Sequence, residues 1–127
     1  MADPRYSVCV VDDDASIRRS LVRLIKLAGY DAEGFESANA YVKRALVTAP
    51  DCLVLDIRLP GTNGLELQER LKGTRLERPT VLITGHGDED VRRQGLELGA
   101  VEVLFKPVRE SRLLDAIARA LAGRPPH

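Results

Sequence analysis

An α/β fold built on a doubly wound, five-stranded parallel sheet is predicted by two observations. Short apolar runs alternate strictly with stretches of helical periodicity, five of each. Three of the runs, SVCVV (7–11), CLVL (52–55) and TVLIT (80–84), are almost wholly apolar. Strands covered by helices on both faces lose the polar alternation of half-exposed ones.

The elements follow in order. SVCVV is a strand by its β-branched content and length. Ile17, Leu21, Leu24, Ile25 and Ala28 then mark one face of a helix, which Gly29 stops. AEGF (32–35) is a weaker strand, interrupted by Gly34 and expected at a sheet edge. Ser37 can cap a helix running through Leu46, and Pro50 prevents its continuation. CLVLD (52–56) is the third strand. A loop with Pro60, Gly61 and Gly64 leads into a helix whose Leu67 and Leu71 face inward. After TVLIT comes a poorer helix over 89–98, with Gly95 inside it at ~1 kcal/mol relative to Ala and with exposed Arg92 and Arg93. VEVLF (101–105) is the fifth strand. Leu113, Leu114, Ile117, Ala118 and Leu121 mark the last helix, ended by Gly123.

The bulk properties exclude several classes. With 127 residues, 44% hydrophobic and 30% charged, the chain reads as one ordinary globular domain. Lys plus Arg and Asp plus Glu both total 19, so no basic excess points to nucleic acid or a membrane surface. The N-terminus has no apolar signal region, and no apolar run approaches the ~20 residues of a membrane helix. Cys9 and Cys52 read as small buried hydrophobes rather than a disulfide. A cytoplasmic location is the expectation. Residues 1–122 are read as the domain and 123–127 as a tail or the start of a linker.

Chemistry is expected at the carboxyl ends of the strands, where open parallel sheets bind ligands. Strand one ends in Asp12, Asp13 and Asp14, strand three in Asp56, strand four in Thr84 and strand five in Lys106-Pro107. Taken singly, each has an ordinary explanation. Asp14, with Asp13 beside it, suits a helix cap; Asp56 suits a turn; Thr84 is a strand-end residue and Lys106 a solvated lysine. His86 reads as a solvent-exposed loop residue, not a metal ligand.

Together they read differently. Carboxylates converging at one edge repel one another unless a cation lies among them, and hard oxygen ligands suit Mg²⁺ or Mn²⁺. A carboxylate can also attack phosphorus to give an aspartyl phosphate. That transfer needs cationic groups and a donor around the phosphoryl oxygens, which Lys106 and Thr84 can supply.

At this point the sequence resembles the response-regulator receiver family of two-component signalling, over residues 6 to about 122. VVDDDASIR matches the family's acidic pair, VLDIRLPGTNGLEL its phosphoacceptor strand and loop, LITGHGD its switch threonine segment and GAVEVLFKP its lysine-proline segment. LITGHGD is most similar to the FixJ-type branch, whose members usually join the receiver to a helix-turn-helix DNA-binding domain.

The resemblance implies a flavodoxin-like (βα)5 sheet in the order 2-1-3-4-5. It makes Asp56 the acceptor of a phosphoryl group from a sensor histidine kinase or phosphotransfer protein. Asp13, Asp56 and the backbone carbonyl of Arg58 would ligate Mg²⁺ directly, and Asp12 through a water. Thr84 would hydrogen-bond a phosphoryl oxygen and Lys106 would pair with it. The Lys106-Pro107 bond would be cis, and Pro60 and Gly64 would shape the loop. The implied protein is a switch rather than an enzyme, with its output surface on helix four, strand five and helix five, and with dimerisation on phosphorylation left open. Neither membrane nor direct nucleic-acid binding by this domain is implied. A stand-alone receiver working in a phosphorelay or by protein contacts is the alternative.

One position departs from the family pattern. The switch aromatic expected three residues before the lysine is Val103, with Phe105 on the same face two residues on. Two other functions compete on this fold. A phosphohydrolase of the haloacid-dehalogenase class would place a D-x-D pair on its first loop, whereas this chain has consecutive acids. A flavin or nucleotide carrier would need a Gly- or Ser/Thr-rich phosphate loop, and DDDAS would repel a phosphate.

Overall fold

The computed structural model describes residues 5–85 and 89–123. Five strands, β1 (Ser7–Val11), β2 (Asp31–Phe35), β3 (Cys52–Asp56), β4 (Thr80–Thr84) and β5 (Glu102–Phe105), alternate with five helices. The helices are α1 (Ala15–Leu27), α2 (Ala38–Val47), α3 (Gly64–Leu71), α4 (Glu89–Glu97) and α5 (Glu110–Leu121). All strand pairs are parallel, and the order is β2-β1-β3-β4-β5, as expected. β2 is an edge strand, in keeping with its interrupting glycine. None of the described helices is long and apolar enough to cross a membrane.

Strand alternation sorts the core into two halves. Val8, Val10, Val54, Val81, Ile83 and Leu104 meet α1 and α5 on one face. Val11, Leu53, Leu55, Leu82 and Val103 meet α2, α3 and α4 on the other. Burial of each such side chain is worth about 1.5–3 kcal/mol, so packing fixes the register of the central strands more firmly than local propensity does. Cys9 and Cys52 are both free and buried. They lie on neighbouring strands but on opposite faces of the sheet, which rules out a bond between them. Burial above all pushes the Cys9 thiol up to about 12; the charge of Glu33 adds to this and that of Arg44 opposes it.

Side-chain caps appear where the residues allow them. Asp14, Ser37 and Asn63 accept from the backbone N–H three residues on. Two helix faces differ from the periodicity reading. In α5 the buried residues are Leu113, Ala116, Ile117, Ala120 and Leu121, whereas Ala118 is exposed and Leu114 half-buried. Small alanines at 116 and 120 let the helix lie close to the sheet, and Ala118, about 200° around the helix from either, faces away. In α1 the expected face ends at Ile25, because Ala28 is the exposed C-cap.

α4 gives the larger correction. Gly95 is buried, and a Cβ there would lie 2.7 Å from Leu82 Cδ1 and 2.9 Å from Val103 Cγ2. The glycine that looks like a weakness in the helix is the contact by which α4 approaches β4 and β5. Arg92 is half-buried rather than exposed, 3.6 Å from Glu102. Gly95→Ala should therefore lower stability. The ~1 kcal/mol gained in helix propensity is outweighed by overpacking of about 1–3 kcal/mol. A lower urea midpoint at unchanged m-value is the expected observation, and a higher midpoint would refute this packing account.

Candidate functional site

The order 2-1-3-4-5 reverses between β1 and β3, so the crevice beyond their carboxyl ends is the expected site. Chain geometry places the acids there. β1 and β3 are paired in register up to Val11 and Leu55; Asp12 directly follows β1, and Asp56 is the last residue of β3. Asp13 joins them: one carboxylate oxygen from each of Asp12, Asp13 and Asp56 lies within 4.8 Å of the other two. Asp12 and Asp56 are buried and Asp13 is exposed.

Lys106 comes from the end of β5. Its Nζ donates to Asp56 Oδ2 at 3.1 Å and lies 3.4 Å from Asp12 Oδ2. The Lys106-Pro107 bond that follows is cis, as expected. Asp56 Oδ1 accepts from the backbone N–H of Arg58 at 3.1 Å, so both of its carboxylate oxygens are engaged. The Arg58 side chain is exposed. Asp14 accepts from Ile17 N–H at 3.0 Å; its ordinary reading as a helix cap holds, and it stands apart from the three-acid cluster.

The site's electrostatics follow from burial and these contacts. Burial pushes the Asp12 carboxyl up, and Asp56 adds to that push. The Asp14 N–H and the Lys106 ammonium pull the other way without cancelling it. Burial works against the Lys106 ammonium, but its hydrogen bond to Asp56 and the charges of both aspartates outweigh that and raise it. Asp14 is held below the usual carboxylate range, chiefly by the Ile17 N–H.

Asp12 Oδ2 is buried and makes no close hydrogen bond among the described residues, its neighbour being the Lys106 ammonium at 3.4 Å. A buried carboxylate oxygen with spare acceptor capacity beside two further carboxylates suits an oxygen-seeking divalent cation. The acidic cluster is compatible with metal binding.

Thr84 ends β4 and is buried; it follows Ile83, the register partner of Asp56, and its carbonyl accepts from Lys106 N–H at 2.8 Å. Val103 is buried under α4. Phe105 shares its strand face, half-buried. His86 lies outside the described residues. An open cleft of ≈ 840 Å³ lies over the cluster, lined by Asp13, Asp56, Pro60, Asn63 and Lys106 among others.

The β3–α3 loop is shaped for this. Gly64 N–H donates to Ile57 carbonyl at 2.7 Å, and a Cβ on Gly64 would lie 2.5 Å from the Asp56 carbonyl oxygen. Only glycine allows the first turn of α3 to lie against the backbone that carries Asp56.

Sequence reasoning passed over two groups that matter locally. Asn63 caps α3 and lines the cleft, with the cap signature N-x-x-E in plain view. Arg18 donates from Nη1 to the Asp12 carbonyl at 2.8 Å, and nothing in its spacing distinguishes it from a surface arginine.

The sequence matches the family described as "Response regulator receiver domain" over residues 8–118. The chain belongs to that family. As a receiver domain of two-component systems it is 40% identical to Nodulation protein W of Bradyrhizobium diazoefficiens, over 94% of this chain and 52% of that protein. It is 36% identical to Transcriptional regulatory protein FixJ of the same organism, over 94% of this chain and 58% of that one. The receiver domain thus spans about half the length of these relatives. The crystal structure of FixJ-N superposes with a TM-score of 0.86 at 31% identity, covering 100% of both chains.

Gly64→Ala should disturb the receiver domain at its centre. With backbone rather than a flexible side chain in the way, the loop must move, at a cost of about 1–3 kcal/mol. Urea unfolding should show that loss, and an unchanged midpoint would mean that Gly64 is not a required close approach.

Proposed function

We propose that this receiver domain is a phosphorylation switch whose acceptor is Asp56. The observation that carries the reading is the convergence of Asp12, Asp13 and Asp56 within 4.8 Å, with Lys106 bonded to Asp56. In the transfer, a carboxylate oxygen of Asp56 attacks the phosphorus of a phosphohistidine on a sensor kinase or phosphotransfer protein. The new O–P bond forms as the P–N bond breaks, and the imidazole leaves with the bond electrons. Mg²⁺, when bound, supplies positive charge to the phosphoryl oxygens. Asp13, Asp56 and the Arg58 carbonyl would hold it, with Asp12 acting through a water.

The chain's own groups do the rest. Arg58 N–H and Lys106 fix the plane of the Asp56 carboxylate before attack. Lys106 then pairs with a phosphoryl oxygen, and Thr84 donates its hydroxyl to another. An ordinary lysine is already protonated at neutral pH, and the aspartates beside Lys106 hold its proton more firmly still. The module stores a phosphoryl group and does not turn over substrate as an enzyme.

Output would pass through α4, β5 and α5, by a shift between two arrangements of that surface. With Val103 in the aromatic position, the packing of Gly95 against Val103 would serve as the moving contact in place of a turning ring. The similarity to FixJ, a transcriptional regulatory protein, favours a transcriptional output through a DNA-binding domain outside residues 1–122, with 123–127 a tail or the start of a linker. A cytoplasmic location and dimerisation on phosphorylation belong to the same reading.

Incubation with acetyl phosphate and Mg²⁺, followed by intact mass measurement, tests it. One phosphoryl adduct should form, and it should be lost in EDTA and in Asp56→Asn. An adduct that persists undiminished in Asp56→Asn would exclude Asp56 as the acceptor.

A further inference from the structure

Arg18 lies in the first turns of α1, yet its side chain is directed back to the end of β1. Its Nη1 donates to the backbone carbonyl of Asp12 at 2.8 Å. That carbonyl belongs to the peptide unit joining Asp12 to Asp13, two of the three acids in the cluster. Holding it limits rotation on both sides of the peptide, and so limits where the two carboxylates can point.

Room for this reach comes from the neighbouring strand. A Cβ on Gly34 in β2 would lie 2.8 Å from Arg18 Cγ and 3.1 Å from Cδ. Glycine inside a strand is costly and often marks a close approach; here the approaching group is the arginine stem. Asp12 is tied elsewhere as well, by its N–H to the Phe35 carbonyl at 3.0 Å and by Oδ1 to the Asp14 N–H at 2.9 Å. Oδ2 remains for Lys106 and an added cation.

We propose that Arg18, seated in the gap left by Gly34, is a positioning residue that sets the divalent-cation affinity of the Asp12–Asp13–Asp56 cluster. The proposal rests on the reading of that cluster as a cation site. Partners one step outside a metal's ligands typically carry about 10–100-fold in affinity. A guanidinium acting only by its charge would have the opposite effect, since it repels a second cation and its loss would tighten binding. The sign of the change therefore separates positioning from simple charge.

The test is calorimetric titration of the full chain with Mg²⁺ alone, for wild type, Arg18→Lys, Arg18→Met and Gly34→Ala. Acetyl phosphate labelling is followed at low and at saturating Mg²⁺, and urea unfolding checks that each variant folds. Arg18→Met should bind Mg²⁺ about tenfold more weakly. Gly34→Ala, which keeps the charge but displaces the stem, should also bind more weakly, and Arg18→Lys should recover part of the loss. Labelling should be slow at low Mg²⁺ and return to the wild-type rate at saturation, a split that general destabilisation would not produce. Wild-type or tighter affinity in Arg18→Met, or in Gly34→Ala should Arg18→Met fail to fold, would overturn the role given to Arg18 while leaving the cation site standing. Absence of Mg²⁺ binding by wild type would overturn the cation-site reading itself, and this proposal with it.

Discussion

Repulsion among carboxylates at the β1–β3 crevice is the constraint around which the molecule is arranged. Two buried charges 4–5 Å apart repel by roughly 3–4 kcal/mol at an effective dielectric near 20, and Asp12 and Asp56 are both buried within 4.8 Å of each other. Parallel pairing of β1 with β3 brings them together whether or not it is locally favourable. The surroundings then compensate. Lys106 reaches in from β5, the Arg58 and Asp14 N–H groups donate, and the Asp12 carboxyl is pushed up, burial being the largest cause. Lys106 can offset only part of the charge, and the remainder makes the cluster receptive to a cation.

Several features outside the three carboxylates support this arrangement. Gly64 lets α3 start against the backbone of Asp56, and Asn63 caps it there. Gly34 makes way for Arg18, which grips the Asp12 carbonyl. Gly95 lets α4 rest on Leu82 and Val103. Each glycine marks a place where a neighbour has taken the room of a side chain. A phosphoryl group at Asp56 would act on a structure already tightly fitted from crevice to α4, with Glu102 bridging Arg92 and Arg119 at the outer surface.

Much of this was legible in the sequence, for identifiable reasons. Strand runs and helical periods give the alternation of elements, and parallel topology then dictates which strand ends share an edge, so Asp12, Asp13, Asp56, Thr84 and Lys106 could be placed near one another in advance. What could not be read were effects that depend on who is opposite. Gly95 reads as a helix defect until Val103 is seen against it, and Arg92 as a free arginine until Glu102 is found beside it. Ala118 and Ala116 are chemically alike, and only the angle of α5 on the sheet decides that the second is buried. Arg18 carried no signal because its partner is a backbone carbonyl, which every residue has.

Everything at the crevice turns on the acid at the end of β3 acting as the nucleophile. Borohydride reduction of the acetyl phosphate-treated receiver domain, followed by peptide mass mapping, tests it directly, because an acyl phosphate is reduced to the corresponding alcohol. Homoserine at position 56 alone is the predicted result. Reduction at Asp12 or Asp13 instead, or a phosphoryl group that borohydride leaves untouched, would contradict it.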